Sequence, residues 1–467
     1  MPDRPNILFI MTDQQRFDAT GCCGSEICRT PNIDALAASG VNFVKHYSCV
    51  GICSPARASL LTGLWAHHHC MLNNTHAADA VCPELRDEAT TISEALARAG
   101  YRCGYVGKWH IGSASQAAAR GFADTDHIEG RGFREYLRST GFQQELTDLV
   151  GRVRRDSDTP WAAITNARGE QIHSTFLASR TIELLERYRR DGARPFFLVC
   201  SFPGPHYPCH VPPEWAQRYG PETIPPWGNF DETFAGKPRS HWRYAVLRGG
   251  IDVPWEQWRV YVARYFALVS LLDHEVGRIL EAVDRLGFRE DTLVVFTTDH
   301  GDMSGSHKLF NKGAFMYEEL YRVPLVVRWP AAGPEDAVCA AYVSAVDVPA
   351  TLMEAAGVEP AAPLDGRSLV PWLRGEAPDW PDSIYTQFHG DEYALCSLRM
   401  VRDDDWKYVY YPDGLDELYN ERDDPFELRN LAQDARHAEP LRRMKDKLVE
   451  WMERVADPLL RWNFDLG

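Results

Sequence analysis

Four short apolar runs constrain the fold of this chain more than any other feature. They lie at residues 7–11, 102–106, 195–200 and 292–296, and a fifth, similar run lies at 324–328. Continuous apolar runs of this length indicate strands that are buried on both faces. Stretches with helical signals separate them. The alternation predicts an α/β fold with a large mixed, mostly parallel sheet between layers of helices.

The helices between these runs carry recognisable start and stop signals. Thr91 and Glu94 form a capping box that opens a helix ending near Ala99, and Gly100 follows as the stop. Helical signals also cover residues 32–39, 174–190, 256–286 and 348–357.

The pattern changes after about residue 376. Residues 383–388, 394–399 and 406–411 alternate between apolar and polar side chains, as strands of an antiparallel sheet with one solvated face do. A helix over about 439–455 follows. We therefore predict two domains, a catalytic α/β domain over 1–376 and a smaller α+β domain over 377–467.

Charge and composition limit the classes of partner. The chain has 467 residues and a net charge of −16. So acidic a chain is a poor match for nucleic acid or an anionic membrane, and we expect neither as a partner. The first apolar run lacks a small-residue cleavage site, so we interpret it as a strand and not as a signal peptide. We expect a cytoplasmic protein with reduced cysteines, and the sequence leaves a homo-oligomer open.

Polar residues follow four of the predicted strands. They are Asp13 and Gln14, then Lys108 and His110, then His206, and finally Asp299 and His300. Ligands of open α/β sheets bind beyond the carboxyl ends of the strands, so we expect these groups to meet in one site. The two pairs Asp13-Gln14 and Asp299-His300 suit one divalent cation. Their oxygens fit Ca²⁺, Mg²⁺ or Mn²⁺, and the imidazole argues against a pure calcium cage.

The stretch from Cys53 to Arg57 places a thiol, a rigid turn and a guanidinium within five residues. Pro55 fixes its backbone, and Arg57 offers a planar fork of donors that suits a tetrahedral oxyanion. Residues 58–61 predict the first turn of a helix, so Cys53 would lie near a helix N-terminus, where an anion is favoured.

Together with Thr62 and Gly63, this stretch forms the pattern C-x-P-x-R-x-x-x-x-T-G. The pattern resembles the signature of the formylglycine-dependent sulfatases, a branch of the alkaline-phosphatase superfamily. The sequence Gly107-Lys108-Trp109-His110 is similar to the family's Gly-Lys-x-His element. His206 matches its middle histidine and Lys312 its late lysine. The resemblance runs from Pro5 to about Leu431 and is weak over 113–170 and 211–255.

The resemblance implies an alkaline-phosphatase-like fold and a specific cofactor chemistry. A formylglycine-generating enzyme would convert Cys53 into formylglycine, an aldehyde that hydrates to a gem-diol. One divalent metal ion would be held by Asp13, Gln14, Asp299, His300 and the modified residue 53. The substrate would be a small-molecule or saccharide sulfate ester.

The resemblance also implies roles for the remaining residues. One hydroxyl of the hydrate would attack sulfur, and Arg57, Lys108 and Lys312 would stabilise charge on the sulfuryl oxygens. His206, together with Lys312, would protonate the leaving alkoxide, and His110 would take the proton of the second hydroxyl.

The metal pairs depart from the commonest family pattern, which is Asp-Asp with Asp-Asn. The pairs found here also resemble choline-sulfatase-like and phosphonate-hydrolase-like members. A phosphonate monoester or phosphodiester hydrolase is therefore one alternative, although the Gly-Lys-x-His element favours sulfate esters. A binding or structural protein that keeps the fold without chemistry is another, and it predicts an unmodified Cys53 and no metal.

Several further residues are weaker candidates. Adjacent histidines point in different directions, so we interpret His67, His68 and His69 as structural. Asn73 and Asn74 are candidates for the pocket lining, and His307 and Lys308 are minor candidates. We interpret 113–170 as an insertion near the site and 211–255 as a long surface loop of the kind that often shapes a substrate pocket. The aromatic residues from Trp215 to Trp258 could stack on a sugar or an aryl ring.

Overall fold

The computed structural model of the protein describes residues 4–152, 158–192, 194–391, 395–412 and 414–461. Its strands are β1 Asn6–Asp13, β2 Val41–Phe43, β3 His46–Tyr47, β4 Arg102–Gly107, β5 Leu146–Val150, β6 Ala162–Thr165, β7 Phe196–Pro205, β8 Cys209–Val211, β9 Thr292–Thr298, β10 Leu325–Arg328, β11 Ala337–Cys339, β12 Val343–Ser344, β13 Ile384–Gly390, β14 Leu395–Arg402, β15 Trp406–Tyr410 and β16 Glu417–Asn420. Its helices are α1 Pro31–Ala38, α2 Cys53–Thr62, α3 Ala66–His69, α4 Ile92–Arg98, α5 Ala114–Ala119, α6 Arg131–Ser139, α7 His173–Asp191, α8 Pro213–Ala216, α9 Arg239–Leu247, α10 Trp255–Arg285, α11 Glu318–Tyr321, α12 Asp347–Ala356, α13 Val370–Leu373 and α14 Ala438–Arg454.

A seven-stranded sheet forms the centre of the molecule, in the order β11-β2-β10-β9-β1-β7-β4. Strand β1 pairs in parallel with both β7 and β9, and β7 pairs in parallel with β4. Strand β10 is antiparallel to both of its neighbours. This confirms the predicted large mixed, mostly parallel sheet.

The two faces of this sheet bury separate sets of apolar side chains. Along β1, Ile7 and Phe9 face one core, whereas Leu8 and Ile10 face the other. Side chains of α2, α4 and α12 pack in the first core, and those of α1, α7 and α10 in the second. Strands covered on both sides are apolar at most positions, which is why the sequence shows mostly apolar runs and not alternation.

The C-terminal part forms a second, antiparallel sheet in the order β13-β14-β15-β16, with α14 against it. Strand β16 was not predicted because its four residues are too few to show a period. Ala394, the first residue of one predicted strand, lies outside the described residues, and that strand is observed as β14. The division into domains at residue 376 stays a prediction, since the first core continues into this sheet.

Two segments that we interpreted as an insertion and as a surface loop contain regular structure. Residues 113–170 hold α5 and α6, and also β5 and β6, which join β8 in a three-stranded sheet. The interpretation of 211–255 as a surface loop was wrong, because the segment contains α8 and α9 and buries polar side chains such as Glu232 and Lys237. Among the described residues, no helix is long and apolar enough to cross a membrane.

Candidate active site

The polar residues that were predicted to converge lie at one edge of the central sheet. Asp13 ends β1, and Asp299 and His300 follow β9, the neighbour of β1. Lys108 follows β4, and His206 follows β7, which lies between β1 and β4. Because β1, β4, β7 and β9 run parallel, their carboxyl ends point the same way and deliver these side chains to one place.

Helix α2 brings Cys53 to the same edge. Cys53 is the first residue of the helix and is 1% exposed. The backbone N–H of Ser54 donates to Oδ1 of Asn74 at 3.0 Å, which fixes the start of the helix. Gly63 ends the helix with a left-handed φ of 70°. The Cβ and Sγ atoms of Cys53 stand where the aldehyde carbon and the hydrate oxygens of formylglycine would lie.

Cys53 belongs to a group of four buried residues that could bind a metal ion. One ligand atom from each of Asp13, Cys53, Asp299 and His300 lies within 4.8 Å of the other three. Two carboxylates and an imidazole at this spacing fit one divalent cation. Gln14 turns towards the same group through a left-handed backbone with a φ of 68°.

The ammonium group of Lys312 lies among these ligand atoms. Nζ of Lys312 lies 2.8 Å from Sγ of Cys53, 2.9 Å from Oε1 of Gln14 and 3.2 Å from Nε2 of His300. The ammonium group thus contacts three of the five predicted ligands. The structure brings all five together, and the chemistry of the set fits the metal that the family implies.

The guanidinium of Arg57 contacts both carboxylates of the site. Its guanidinium donates to Oδ2 of Asp299 at 2.7 Å and to Oδ2 of Asp13 at 2.8 Å. It also donates to the carbonyl of Lys108 and to Oγ of Ser201. These four donor contacts lie in a fully buried position and hold the carboxylates of Asp13 and Asp299 side by side. The contact of Arg57 with sulfuryl oxygens stays a prediction.

Lys108 and His206 remain open to a ligand. Nζ of Lys108 lies 2.6 Å from Oδ2 of Asp13. Lys108 and His206 both line a cavity of about 540 Å³. Nδ1 of His206 lies 2.6 Å from the carbonyl of Tyr207, which orients the ring. Burial and the charge of Lys312 lower the pKa of His206.

His110 is held on two sides. The backbone N–H groups of Trp109 and His110 both donate to Oε1 of Glu129 at 2.7 Å, and His110 has a left-handed φ of 58°. Its Nε2 lies 2.8 Å from Nδ1 of His76, an exposed histidine. Burial and the charge of Lys108 lower the pKa of His110 to about 4, so the ring is neutral and able to accept a proton at pH 7.

The charges of the site favour an ionised group at residue 53. Burial opposes ionisation of the Cys53 thiol, but Lys108, Lys312 and His300 outweigh it and lower its pKa well below the usual value. Burial and the Cys53 charge likewise oppose ionisation of Asp13, yet Lys108 and Arg57 hold its pKa far below the ordinary range. Burial and the charge of Asp13 raise the pKa of Asp299 to about 6. Asp13 therefore ionises more readily than Asp299.

The sequence did not single out several supporting residues. Asp302 accepts a hydrogen bond from Nε2 of Gln14 and belongs to the same polar run as Asp299, so the run itself was a usable signal. Glu129, His76 and Ser201 come from other segments, and no local pattern marks them.

The structure shows which contacts several of the weaker candidates make. His67, His68 and His69 contact Gln387, Asp365 and Ser59 respectively, which agrees with a structural role. Asn74 supports Ser54, whereas Asn73 bonds the backbone of Val81. His307 stacks on Tyr317 and pairs with Glu232.

Comparison with known proteins defines the class of this fold and site. The sulfatase family model matches residues 5–358, and the model described as N-sulphoglucosamine sulphohydrolase, C-terminal, matches residues 305–454. The chain therefore belongs to the sulfatase family, and it is a sulfuric ester hydrolase.

Two relatives and one solved structure are each 28–29% identical to the chain. The chain is 29% identical to the uncharacterized sulfatase YidJ of Escherichia coli, over 99% of this chain and 90% of that protein. It is 29% identical to the choline-sulfatase of Rhizobium meliloti, over 93% and 83%. The crystal structure of the phosphonate monoester hydrolase of Agrobacterium radiobacter is similar with a TM-score of 0.83 and 28% identity, over 97% and 96%.

Proposed function

We propose that the protein hydrolyses a sulfate monoester to an alcohol and inorganic sulfate, with Cys53 converted to formylglycine as the nucleophile. The observation that carries this proposal is the convergence of Asp13, Asp299, His300 and Lys312 on Cys53. Family membership supports the reaction class. A formylglycine-generating enzyme is the partner that this chemistry requires.

The hydrate of the aldehyde explains why the cysteine must be oxidised. One hydroxyl forms a bond to sulfur, and the bond between sulfur and the alcohol oxygen breaks. The second hydroxyl then loses its proton, the bond from carbon to the sulfate oxygen breaks, and the aldehyde is regenerated as sulfate leaves. Water rehydrates it for the next cycle. A simple alcohol has no second hydroxyl and could not release sulfate in this way.

The residues of the chain divide the remaining work between them. Lys108 and Lys312 stabilise negative charge on the sulfuryl oxygens. His206 gives a proton to the leaving alkoxide, and the negative charge of a bound ester would raise its lowered pKa towards the protonated form. His110 is neutral and takes the proton of the second hydroxyl.

Asp13, Gln14, Asp299, His300 and the modified residue 53 would hold one divalent metal ion. When bound, such an ion stabilises developing negative charge and favours the ionised form of a hydroxyl beside it.

The proposal is tested with the Cys53→Ala variant. Alanine cannot be oxidised to an aldehyde, so we expect no detectable hydrolysis of 4-nitrophenyl sulfate, while the wild type turns it over. Conversion of the wild type should appear in the intact mass as a loss of about 18 Da, from CH₂SH to CHO. Wild-type activity in the variant would exclude the proposed nucleophile.

A second candidate activity is hydrolysis of phosphonate monoesters. The likeness to the Agrobacterium radiobacter enzyme favours it. Rates on 4-nitrophenyl sulfate and on a 4-nitrophenyl phenylphosphonate monoester separate the two. We expect the sulfate to have the higher kcat/KM, because the chain carries the element Gly107-Lys108-Trp109-His110, which favours sulfate esters.

A further inference from the structure

The side-chain amide of Gln14 lies between the candidate metal site and a further buried carboxylate, that of Asp302. Its Oε1 accepts a hydrogen bond at 2.9 Å from Nζ of Lys312, the same ammonium group that contacts Cys53 and His300. Its Nε2 donates to Oδ2 of Asp302 at the other end. Gln14 and Asp302 are both fully buried. A donor at one end and an acceptor at the other assign the orientation of this amide.

The backbone of Gln14 is held at both of its polar groups. Its N–H donates to Oδ1 of Asp299 at 3.0 Å, and its carbonyl accepts from the hydroxyl of Tyr265 at 2.8 Å. A left-handed φ of 68° turns the chain at this residue, directly after β1. Because the backbone is fixed, the side chain keeps its place between Asp302 and the candidate metal ligands.

Asp302 is placed to accept hydrogen bonds. Its Oδ1 accepts from the backbone N–H of Ser304 at 2.6 Å and from the hydroxyl of Ser304 at 2.5 Å, and its Oδ2 accepts from Gln14. Three donors suit the ionised carboxylate, which has acceptors and no proton to give. All three donors are uncharged, so they do not neutralise the negative charge that Asp302 presents to the amide of Gln14.

A carboxylate that accepts from one end of an amide changes the other end. The nitrogen and the oxygen of an amide are conjugated, so a charge-assisted hydrogen bond from Nε2–H increases the negative charge on Oε1. A carboxylate acts in the same way on a histidine that binds a metal ion, where it fixes the ring and makes the ligand more basic. Asp302 would thus make the neutral Oε1 of Gln14 a better ligand for a cation.

Asp302 also gives a physical reason for glutamine at position 14, where the commonest family pattern has aspartate. A carboxylate at position 14 would be a second buried anion beside Asp302, with no proton to donate to it. Two buried carboxylates that face each other without a donor repel, and one of them takes up a proton. The amide avoids this repulsion because it presents an N–H to Asp302 and an oxygen to the metal site.

We propose that Asp302 is a positioning residue of the metal site, which fixes the amide of Gln14 with Oε1 towards the metal ion and strengthens that oxygen as a ligand. The two residues act as a pair, so that glutamine at position 14 requires a carboxylate at position 302. This inference rests on the proposed function, because it concerns the metal ion that the proposed reaction uses.

The experiment measures metal binding separately from turnover. Protein with converted Cys53 is freed of metal with EDTA, and calorimetry gives the Kd of Mn²⁺. We expect Asp302→Asn to weaken Mn²⁺ binding by about 10–100-fold, the usual loss when the outer partner of a metal ligand is changed. Asparagine keeps the shape of the side chain, but it lacks the charge and can present an NH₂ group to Gln14.

Gln14→Glu tests whether the two residues act as a pair. Alone, it places a carboxylate of the same shape as the amide against Asp302, and we expect Mn²⁺ binding to weaken by about tenfold although a charged ligand has been added. Together with Asp302→Asn, it exchanges the positions of the carboxylate and the amide. The double variant should bind Mn²⁺ within about threefold of the wild type, because the donor and the acceptor match again.

Asp404→Asn is the matched control, since Asp404 is an exposed carboxylate that pairs with Lys45. Its Kd for Mn²⁺ should equal that of the wild type, and circular dichroism confirms that each variant is folded. Recovery in the double variant is a result that a purely structural role of Asp302 would not give. An unchanged Kd in Asp302→Asn, wild-type affinity in Gln14→Glu alone, or losses that multiply in the double variant would each overturn the inference.

The outcome for the proposed function is read in the wild type. Wild-type protein that binds Mn²⁺ and turns over 4-nitrophenyl sulfate, together with losses that multiply in the double variant, would overturn only the role of Asp302. Wild-type protein with converted Cys53 that binds none of Mn²⁺, Ca²⁺ and Mg²⁺ would overturn the proposed metal site and with it this inference.

Discussion

At the residue scale, Arg57 decides whether the two carboxylates of the site can lie side by side. Asp13 and Asp299 are both fully buried and both accept from the same guanidinium. Two buried carboxylates without a counter-charge repel each other, and one of them would take up a proton. The planar fork of Arg57 bridges them with separate donors, which an ammonium group does not match.

We therefore expect Arg57→Lys to act mainly through the metal. The variant keeps the charge but loses the bridging geometry, so metal affinity should fall by about 10–100-fold. Titration with Mn²⁺, followed by calorimetry, measures this directly. Arg218→Lys, at an exposed arginine stacked on Trp215, serves as the control. An unchanged metal Kd together with a large loss of kcat would instead support direct contact with the substrate.

His76 supplies a further prediction at this scale. Its ring is the partner of Nε2 of His110 at 2.8 Å and is exposed to solvent. His76→Ala should lower kcat by about tenfold, less than the loss of a general base itself, and leave KM nearly unchanged. Steady-state kinetics check this, with His68→Ala as the control, since His68 pairs with Asp365 instead. Equal effects of the two variants would contradict the role.

The sequence predicted which reacting groups come together in the site, but it did not predict the residues that hold them in place. Asp13, Lys108, His206 and Asp299 follow strands, so a rule about strand ends was sufficient to bring them together. Glu129 and His76 reach His110 from loops, where neither period nor spacing carries information. The role of Arg57 also depended on distances, because a guanidinium can serve an oxyanion or a carboxylate equally well.

At the scale of elements, the segment 211–255 ties the main sheet to the C-terminal part. Nζ of Lys237 donates to Oε2 of Glu232, to the hydroxyl of Tyr317 and to the carbonyl of Glu427. His307 also contacts Oε2 of Glu232, at 2.8 Å. All of these groups are buried. Rich Pro and Trp content suggested an exposed loop, but composition cannot show that charged residues pair with each other inside.

Glu232→Gln should lower the free energy of unfolding by about 3 kcal/mol at neutral pH, because the charge of Lys237 would stay buried without its partner. Denaturant unfolding of the variant against the wild type measures the difference. Glu222→Gln, at an exposed position of the same segment, should change it little. A loss below about 1 kcal/mol, the usual size at an exposed pair, would contradict this account.

We also expect the effect of Glu232→Gln on the free energy of unfolding to depend on pH. Burial opposes ionisation of Glu232, but the hydrogen bond from His307 and the charge of Lys237 outweigh it and lower its pKa to about 2. An unfolded Glu has a pKa of about 4.5, so the folded state binds fewer protons between these values. The stability from Glu232 is thus complete above pH 4.5 and is lost as the pH falls towards 2. The difference between variant and wild type should shrink over this window, and a constant difference would contradict the assignment.

At the scale of the whole molecule, one apolar core runs through both predicted domains. It includes Ile7 and Phe9 of β1 together with Met400 of β14 and Leu448 of α14. The backbone N–H of Gln387 also donates to the carbonyl of Cys49 at 2.9 Å, between the two parts. The sequence predicted both sheets, because each has its own period. It could not show that they share a core, since that contact joins residues hundreds of positions apart.

We expect this shared core to make unfolding a single transition. Calorimetry of the full chain should show one peak, and a fragment of residues 1–376 should lack the near-ultraviolet circular dichroism of a packed core. Removing the C-terminal part would expose the apolar face that it covers. Two separate transitions, or a folded and soluble fragment, would show that the parts are independent.

The most direct test of the account compares turnover with the chemical state of residue 53. Preparations made with different amounts of formylglycine-generating enzyme are assayed on 4-nitrophenyl sulfate at saturating metal, and peptide mass spectrometry gives the converted fraction of Cys53. We predict that kcat rises in proportion to this fraction and extrapolates to zero in unconverted protein. A kcat that does not depend on the fraction converted would contradict the central claim.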